Sequence, residues 1–238
     1  MDEAQDLGPP ELSFLGAIAA PGEDALFFAG DIGQRIFQHP FSWKAVGVEV
    51  RGRASNLKVC YRTSRQIRRV ADRLLPDALH DPDGNEEERS GTISVFEGPQ
   101  PHIKLFPDAA QEIEAIAGFL RSAVADGFQP GEIGIFVRSP DELARAHRAA
   151  KAAGLDEDQA KIAVMHLAKG LEFRAVVVMA CDQDVLPLAI RIAEAADEGE
   201  LDDIYETERQ LLYVSCTRAR ERLFLTGVTP GSEFLKDL

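Results

Sequence analysis

Seven short apolar runs, spaced by stretches of helical period, restrict this chain to an α/β fold. ALFFAG (25–30), LKVCY (57–61), TISVF (92–96), IGIFV (133–137), KIAVM (161–165), RAVVVMA (174–180) and RLFLTG (222–227) read as strands. SRQIRRVADRLL (64–75), DAAQEIEAIAGFLRSAVADG (108–127), PDELARAHRAAKAAG (140–154) and YETERQLLYVSCTRAR (205–220) carry the spacing of amphipathic helices. That alternation predicts a mostly parallel sheet with flanking helices. Ser139-Pro140-Asp141-Glu142 has the form of a capping box with proline at the first helical position, and Gly154 suits a C-cap. PDALHDPDGNEEERSG (76–91) is polar and rich in Pro and Gly, so it reads as a loop or insertion.

A boundary is expected near Tyr61. Residues 1–61 hold two candidate strands and lie near the lower size limit for an independent core, whereas 62–238 hold the fuller alternation. The whole chain, 238 residues and 45% hydrophobic, suffices for one large or two small domains. Cys60, Cys181 and Cys216 are odd in number and form no CxxC pair, which suits a reducing cytosol and argues against disulfides or a zinc site. The longest strongly apolar run, Ala175–Cys181, is far short of a membrane span, and the N-terminus has neither the basic nor the apolar region of a secretion signal. A soluble, cytoplasmic protein without a membrane partner is the expectation.

The formal charge of −14 counts against nucleic-acid binding until its distribution is read. Between Phe41 and Arg73 nine basic residues face only Glu49 and Asp72, while between Asp182 and Glu208 ten acidic residues face only Arg191. The molecule is polarised, with a basic stretch that is either a solvated helix face or a path for a polyanion.

The string DEAQD (2–6) is the first sign of chemistry. At the C-terminal end of a strand beside a nucleotide, Asp2 would hold Mg²⁺ through water. Glu3 would orient and deprotonate the water that attacks the γ-phosphate. MDEAQDL resembles the Walker B segment of superfamily 1 DNA helicases of the UvrD/Rep/PcrA type, and the rest of the chain follows that family's order. FAGDIGQRIF (28–37) resembles the next motif, CYRTS (60–64) the YRS segment, and MHLAKGLEF (165–173) the T-H-x-x-K-G-L-E-F segment, with Met165 in place of threonine. ETERQLLYVSCTRAR (206–220) resembles the last motif, with Gln210 where a second arginine is common.

The resemblance implies a partial first RecA-like domain over 1–61 and a nearly complete second one over 62–238, with ATP bound between two such domains. It assigns Gln34 to the γ-phosphate or the attacking water, and Arg62 and Arg218 to the γ-phosphate, where forked guanidinium groups stabilise transition-state charge. Glu172 matches the glutamate that bonds the ribose, in a nucleotide-binding segment that includes Gly170. His166 and Lys169 match positions on the single-stranded DNA backbone. Phe37 aligns with an aromatic on which bases stack. RIFQHPFSW is longer than the family's spacing, so Trp43 is either a displaced platform or a core residue.

A phosphate-cradling G-x-x-x-x-G-K-[ST] is missing, and no Gly-Lys dipeptide occurs. The expectation is therefore the C-terminal part of an ATP-dependent, Mg²⁺-requiring, 3′→5′ helicase or translocase, inactive or nearly so on its own. Two further readings stand beside it: one half of a split enzyme whose phosphate loop lies on a separate chain, and a non-catalytic module that binds single-stranded DNA or a repair protein.

Overall fold

The computed structural model describes residues 1–20, 24–36, 41–50, 52–76, 78–80, 82–84, 86–88, 91–156 and 159–238. In chain order its elements are α1 (Pro9–Ile18), β1 (Val59–Cys60), α2 (Arg65–Ala71), β2 (Ala78–His80), β3 (Glu86–Glu88), β4 (Ile93–Ser94), β5 (His102–Phe106), α3 (Ala109–Ala125), β6 (Ile133–Val137), α4 (Leu143–Ala152), β7 (Lys161–Val164), β8 (Phe173–Val178), α5 (Ala189–Glu194), α6 (Glu198–Thr217) and β9 (Ala219–Val228). They fall into two compact units. One comprises Met1–Lys58 and Pro76–Thr92, the other Val59–Leu75 and Ile93–Leu238.

The larger unit is built on a five-stranded, wholly parallel sheet in the order β5-β9-β8-β6-β7. β6 and β8 are apolar at nearly every position because helices cover both faces of the sheet. Ala175, Val177 and Met179 join Ile116 and Leu120 of α3 and Ala146 and Ala149 of α4 in one core cluster. The alternate Val176 and Val178, equally buried, point to the other face, where α6 packs on β8 and β9 and α2 packs on α6. β1 and β4 form a separate parallel pair, Val59 beside Ile93.

Several sequence expectations shift here. α6 starts at Glu198, seven residues early, because the Asp197 carboxylate accepts the Glu200 N–H at 2.9 Å as an N-cap. It also ends early, at Thr217, because the Phe173 N–H bonds to the Arg218 carbonyl and Ala219 enters the sheet. β5 was not foreseen: His102 and Lys104 interrupt its apolar run, as suits an edge strand that is exposed along most of its length. At Ser139 the capping box is half formed. Ser139 Oγ accepts the Asp141 N–H at 3.3 Å, but the Glu142 carboxylate turns to Arg145 instead of the cap.

In the smaller unit, α1 opens on Pro9-Pro10 and buries Leu12. The stretch 76–91, which reads as a loop or insertion, contains the antiparallel hairpin β2–β3, in which Ala78 pairs with Glu88. ALFFAG is extended but is not a strand. Its backbone bonds to the chain start instead: Met1 to the Phe27 carbonyl at 2.7 Å, Ala29 to the Met1 carbonyl at 2.8 Å, and Ala4 to the Ala29 carbonyl at 2.9 Å. Phe27 is 80% exposed, so the apolarity that suggested a buried strand has no partner layer here.

Candidate functional site

Those backbone bonds lay DEAQD alongside the GD segment within the smaller unit. Gln5, buried, is the link. Its Oε1 accepts the Asp31 N–H at 3.1 Å and its Nε2 donates to Glu3 Oε2 at 2.5 Å. Glu3 has φ 52°, a left-handed conformation uncommon for a residue with a Cβ. Asp31 then caps the short turn Ile32–Gln34: Oδ1 accepts the Gly33 N–H at 2.8 Å and Oδ2 accepts the Gln34 amide at 2.8 Å. Gly30 is needed for this approach, because a Cβ there would lie 2.4 Å from Gln5 Oε1. Glu3 and Gln34 are thus tied through Gln5 and Asp31, a relay that assigning roles motif by motif overlooked.

Asp2 is exposed, and its Oδ1 accepts the Glu3 N–H at 2.9 Å. Among the described residues no group of three or more His, Cys, Asp or Glu could hold a metal. A single exposed carboxylate fits Mg²⁺, which keeps several waters and takes its other ligands from nucleotide phosphates. Phe37 lies outside the described residues. Trp43 is half-buried, its ring edge-on to Phe28 with centroids 5.0 Å apart.

In the larger unit, four of the expected nucleotide residues gather at the N-terminal ends of β8 and β9. Gly170 has φ 76°, the left-handed turn that brings Glu172 to the start of β8. Glu172, exposed, is 3.2 Å from Arg62 Nε and 3.7 Å from Arg220 Nη1. Arg62 is held beside β9 by its neighbours, since Thr63 Oγ1 donates to the Thr217 carbonyl and Ser64 N–H to the Arg220 carbonyl. Arg218 differs from Arg62. It is 1% exposed at the end of α6, with Nε on the Val214 carbonyl at 3.1 Å and Nη1 on the Leu171 carbonyl at 3.4 Å.

The connection 165–172 runs from the C-terminal end of β7 to the N-terminal start of β8, so it carries residues at both edges of the sheet. Lys169 closes its short turn, half-buried. His166, at the β7 end, sits beside a buried ion triad that sequence reading missed. Glu208 of α6, with no exposed surface, accepts both guanidinium arms of Arg138 at 2.5 and 2.6 Å and Arg191 Nη1 at 2.9 Å. Burial, then the Arg138 charge, holds the His166 imidazole below its ordinary value, with Glu208 acting in the opposite sense. A histidine whose folded pKa is depressed contributes stability that is full above its unfolded value of about 6.5 and is lost as pH falls below it. The unfolding midpoint should therefore drop on acidification below about pH 6.5, and His166→Gln should flatten that slope. An unchanged slope in the variant would refute the assignment.

A second network closes the other strand ends. Glu112, fully buried, accepts the Thr226 hydroxyl at 2.7 Å and the Ala180 N–H at 3.1 Å and contacts Arg145, which also reaches Asp182 at 2.7 Å. It joins α3, α4, β8 and β9 and has no expected functional residue in it.

Residues 142–229 match the family model of the UvrD-like helicase C-terminal domain. ATP-dependent DNA helicase PcrA of Staphylococcus epidermidis is 40% identical over 65 residues, 27% of this chain and 8% of that protein. YjcD of Bacillus subtilis is 36% identical over 95 residues, 38% of this chain and 12% of that protein. The solved C-terminal domain of a possible DNA helicase from Lactobacillus plantarum WCFS1 superposes with a TM-score of 0.50 at 25% identity, covering 74% of this chain and 91% of that one. The matched stretches therefore span about a tenth of the two full-length relatives. No helix among the described residues is long and apolar enough to cross a membrane.

Proposed function

We propose that this chain is part of an ATP-dependent DNA helicase that couples ATP hydrolysis to 3′→5′ movement on single-stranded DNA. In this reading Asp2 binds Mg²⁺ through water, Glu3 is the base for the attacking water, and Gln34 senses the γ-phosphate. Arg62 and Arg218 stabilise the phosphoryl charge, Glu172 bonds the ribose, and Gly170 belongs to the same nucleotide-binding segment. Phe37, Trp43, His166 and Lys169 touch the DNA strand.

The observation that carries the reading is the Gln5 relay. Hydrolysis needs a base and a water-orienting amide held in one geometry. Here the Gln5 amide bonds Glu3 and the Asp31 N–H, while Asp31 holds the Gln34 amide. The matches to PcrA and to the helicase C-terminal domain support the class of motor.

The 238 residues contain no phosphate loop, so that element must come from further sequence in the same polypeptide or from a separate chain. The test supplies it. Alone, the purified chain should hydrolyse ATP at background. Fused to or mixed with a phosphate-loop segment from a PcrA relative, it should gain Mg²⁺- and DNA-stimulated turnover. Hydrolysis without the loop would refute the predicted dependence. No gain in either format, together with salt-dependent DNA binding that ignores nucleotide, would favour a non-catalytic module.

A further inference from the structure

The hairpin stretch that separates α2 from β4 has no part in the reading above, yet one of its side chains reaches the proposed DNA platform. Asp83 is 8% exposed and some forty residues from Trp43 in sequence. Its carboxylate accepts the Trp43 N–H at 2.7 Å and the Lys44 N–H at 3.2 Å, and it also takes the Ser42 hydroxyl. Ser42 Oγ in turn accepts the Ala45 N–H at 3.0 Å. The turn Lys44–Val46 that follows Trp43 has no side-chain cap from Trp43 itself, so the side-chain bonds that orient its start come from Asp83 and Ser42.

We propose that Asp83 is a positioning residue for Trp43. It clamps the backbone of Ser42–Lys44 and so fixes the half-buried indole edge-on to Phe28. This rests on the reading of Trp43 as a stacking platform. The chemistry favours a carboxylate. Two converging backbone N–H groups and a hydroxyl need an acceptor-only partner with two oxygens, and charge-assisted bonds of this kind are about twice as strong as neutral ones. A loosened backbone would let the indole turn, and a freely turning ring loses the preorganisation that makes stacking productive.

Trp43 is the single tryptophan of the chain, so intrinsic fluorescence reports it alone. The experiment titrates oligo(dT) into the parent chain, Asp83→Asn and Asp83→Ala, reading Trp43 quenching, the emission maximum of the free protein and the far-ultraviolet dichroism. The parent should quench on binding. Both variants should keep their dichroism, shift their emission to longer wavelength and bind about ten-fold more weakly, the asparagine less affected than the alanine. Emission and affinity equal to the parent's in both variants would overturn the role of Asp83. A parent that binds oligo(dT) without quenching would instead overturn the platform reading of Trp43, while the emission shift of the free variants would still decide whether Asp83 positions the ring. If Asp83→Ala alone loses its dichroism, Asp83→Asn carries the decision.

Discussion

Glu208→Ala should cost the larger unit about 3–5 kcal/mol in denaturant unfolding, the loss typical when one partner of a buried ion pair is removed. The size follows from what the substitution leaves behind. Glu208 has no exposed surface, and the Arg138 side chain that grips it with both arms is 5% exposed. Without the carboxylate the Arg138 charge stays in a place where water cannot replace its partner. Arg191 suffers less, because its side chain is 34% exposed and solvent can take over its bonds. Against a usual domain stability of 5–15 kcal/mol, such a loss is a large share of the total.

A paired variant separates charge from packing. Arg138→Met with Glu208→Leu removes both buried charges and keeps volume, so it should recover most of the loss. Equal destabilisation in the single and the paired variant would place the cost in packing. A single-variant loss below about 1 kcal/mol would sink the argument altogether. The triad also matters for position. Glu208 and Arg218 lie ten residues apart on and at the end of α6, roughly 15 Å of helix, so fixing one end beside His166 constrains the other beside Glu172.

The uneven legibility of this molecule has a physical pattern. IGIFV and RAVVVMA were readable because a strand covered on both faces must be apolar throughout, and the spacing in DAAQEIEAIAGFL gave α3 almost to the residue. ALFFAG has the same composition, but Phe27 lacks a layer to pack against. The left-handed φ of 76° at Gly170 is a backbone state that glycine readily supplies, but MHLAKGLEF is read only for its resemblance. Partnerships across the chain leave no such local trace. Arg138 and Glu208 are 70 residues apart, and each looks like a surface charge in a polar helix or loop until the fold buries them together. Asp83 is hidden in the same way, inside a stretch whose Pro and Gly content suggested a loop or insertion. The burial of Arg218 was equally invisible, since CTRAR reads the same whether its arginine faces solvent or a carbonyl.

That last difference yields a sharp expectation for catalysis. In the protein supplied with a phosphate loop, Arg62→Ala and Arg218→Ala should each lower kcat by roughly 10³–10⁵, the worth of an arginine that stabilises phosphoryl transfer. Their effects on stability should diverge. Arg62 is exposed on Glu172, where screening leaves an ion pair little to contribute, so its loss should barely move the unfolding curve. Arg218 is 1% exposed and donates to the carbonyls of Val214 and Leu171; its loss removes hydrogen bonds made by a charged group, each worth about 1.5–3 kcal/mol. For Arg218 to reach a nucleotide it must exchange those carbonyls for phosphate oxygens, a trade that charge strongly favours. Arg218→Lys keeps the charge but not the fork, so it should restore less activity than stability. The decisive measurement runs kcat and denaturant unfolding on the same four proteins. Turnover within ten-fold of the parent in Arg218→Ala, alongside a clear stability loss, would make Arg218 the buried cap of α6 and leave Arg62 as the phosphate arginine of this unit.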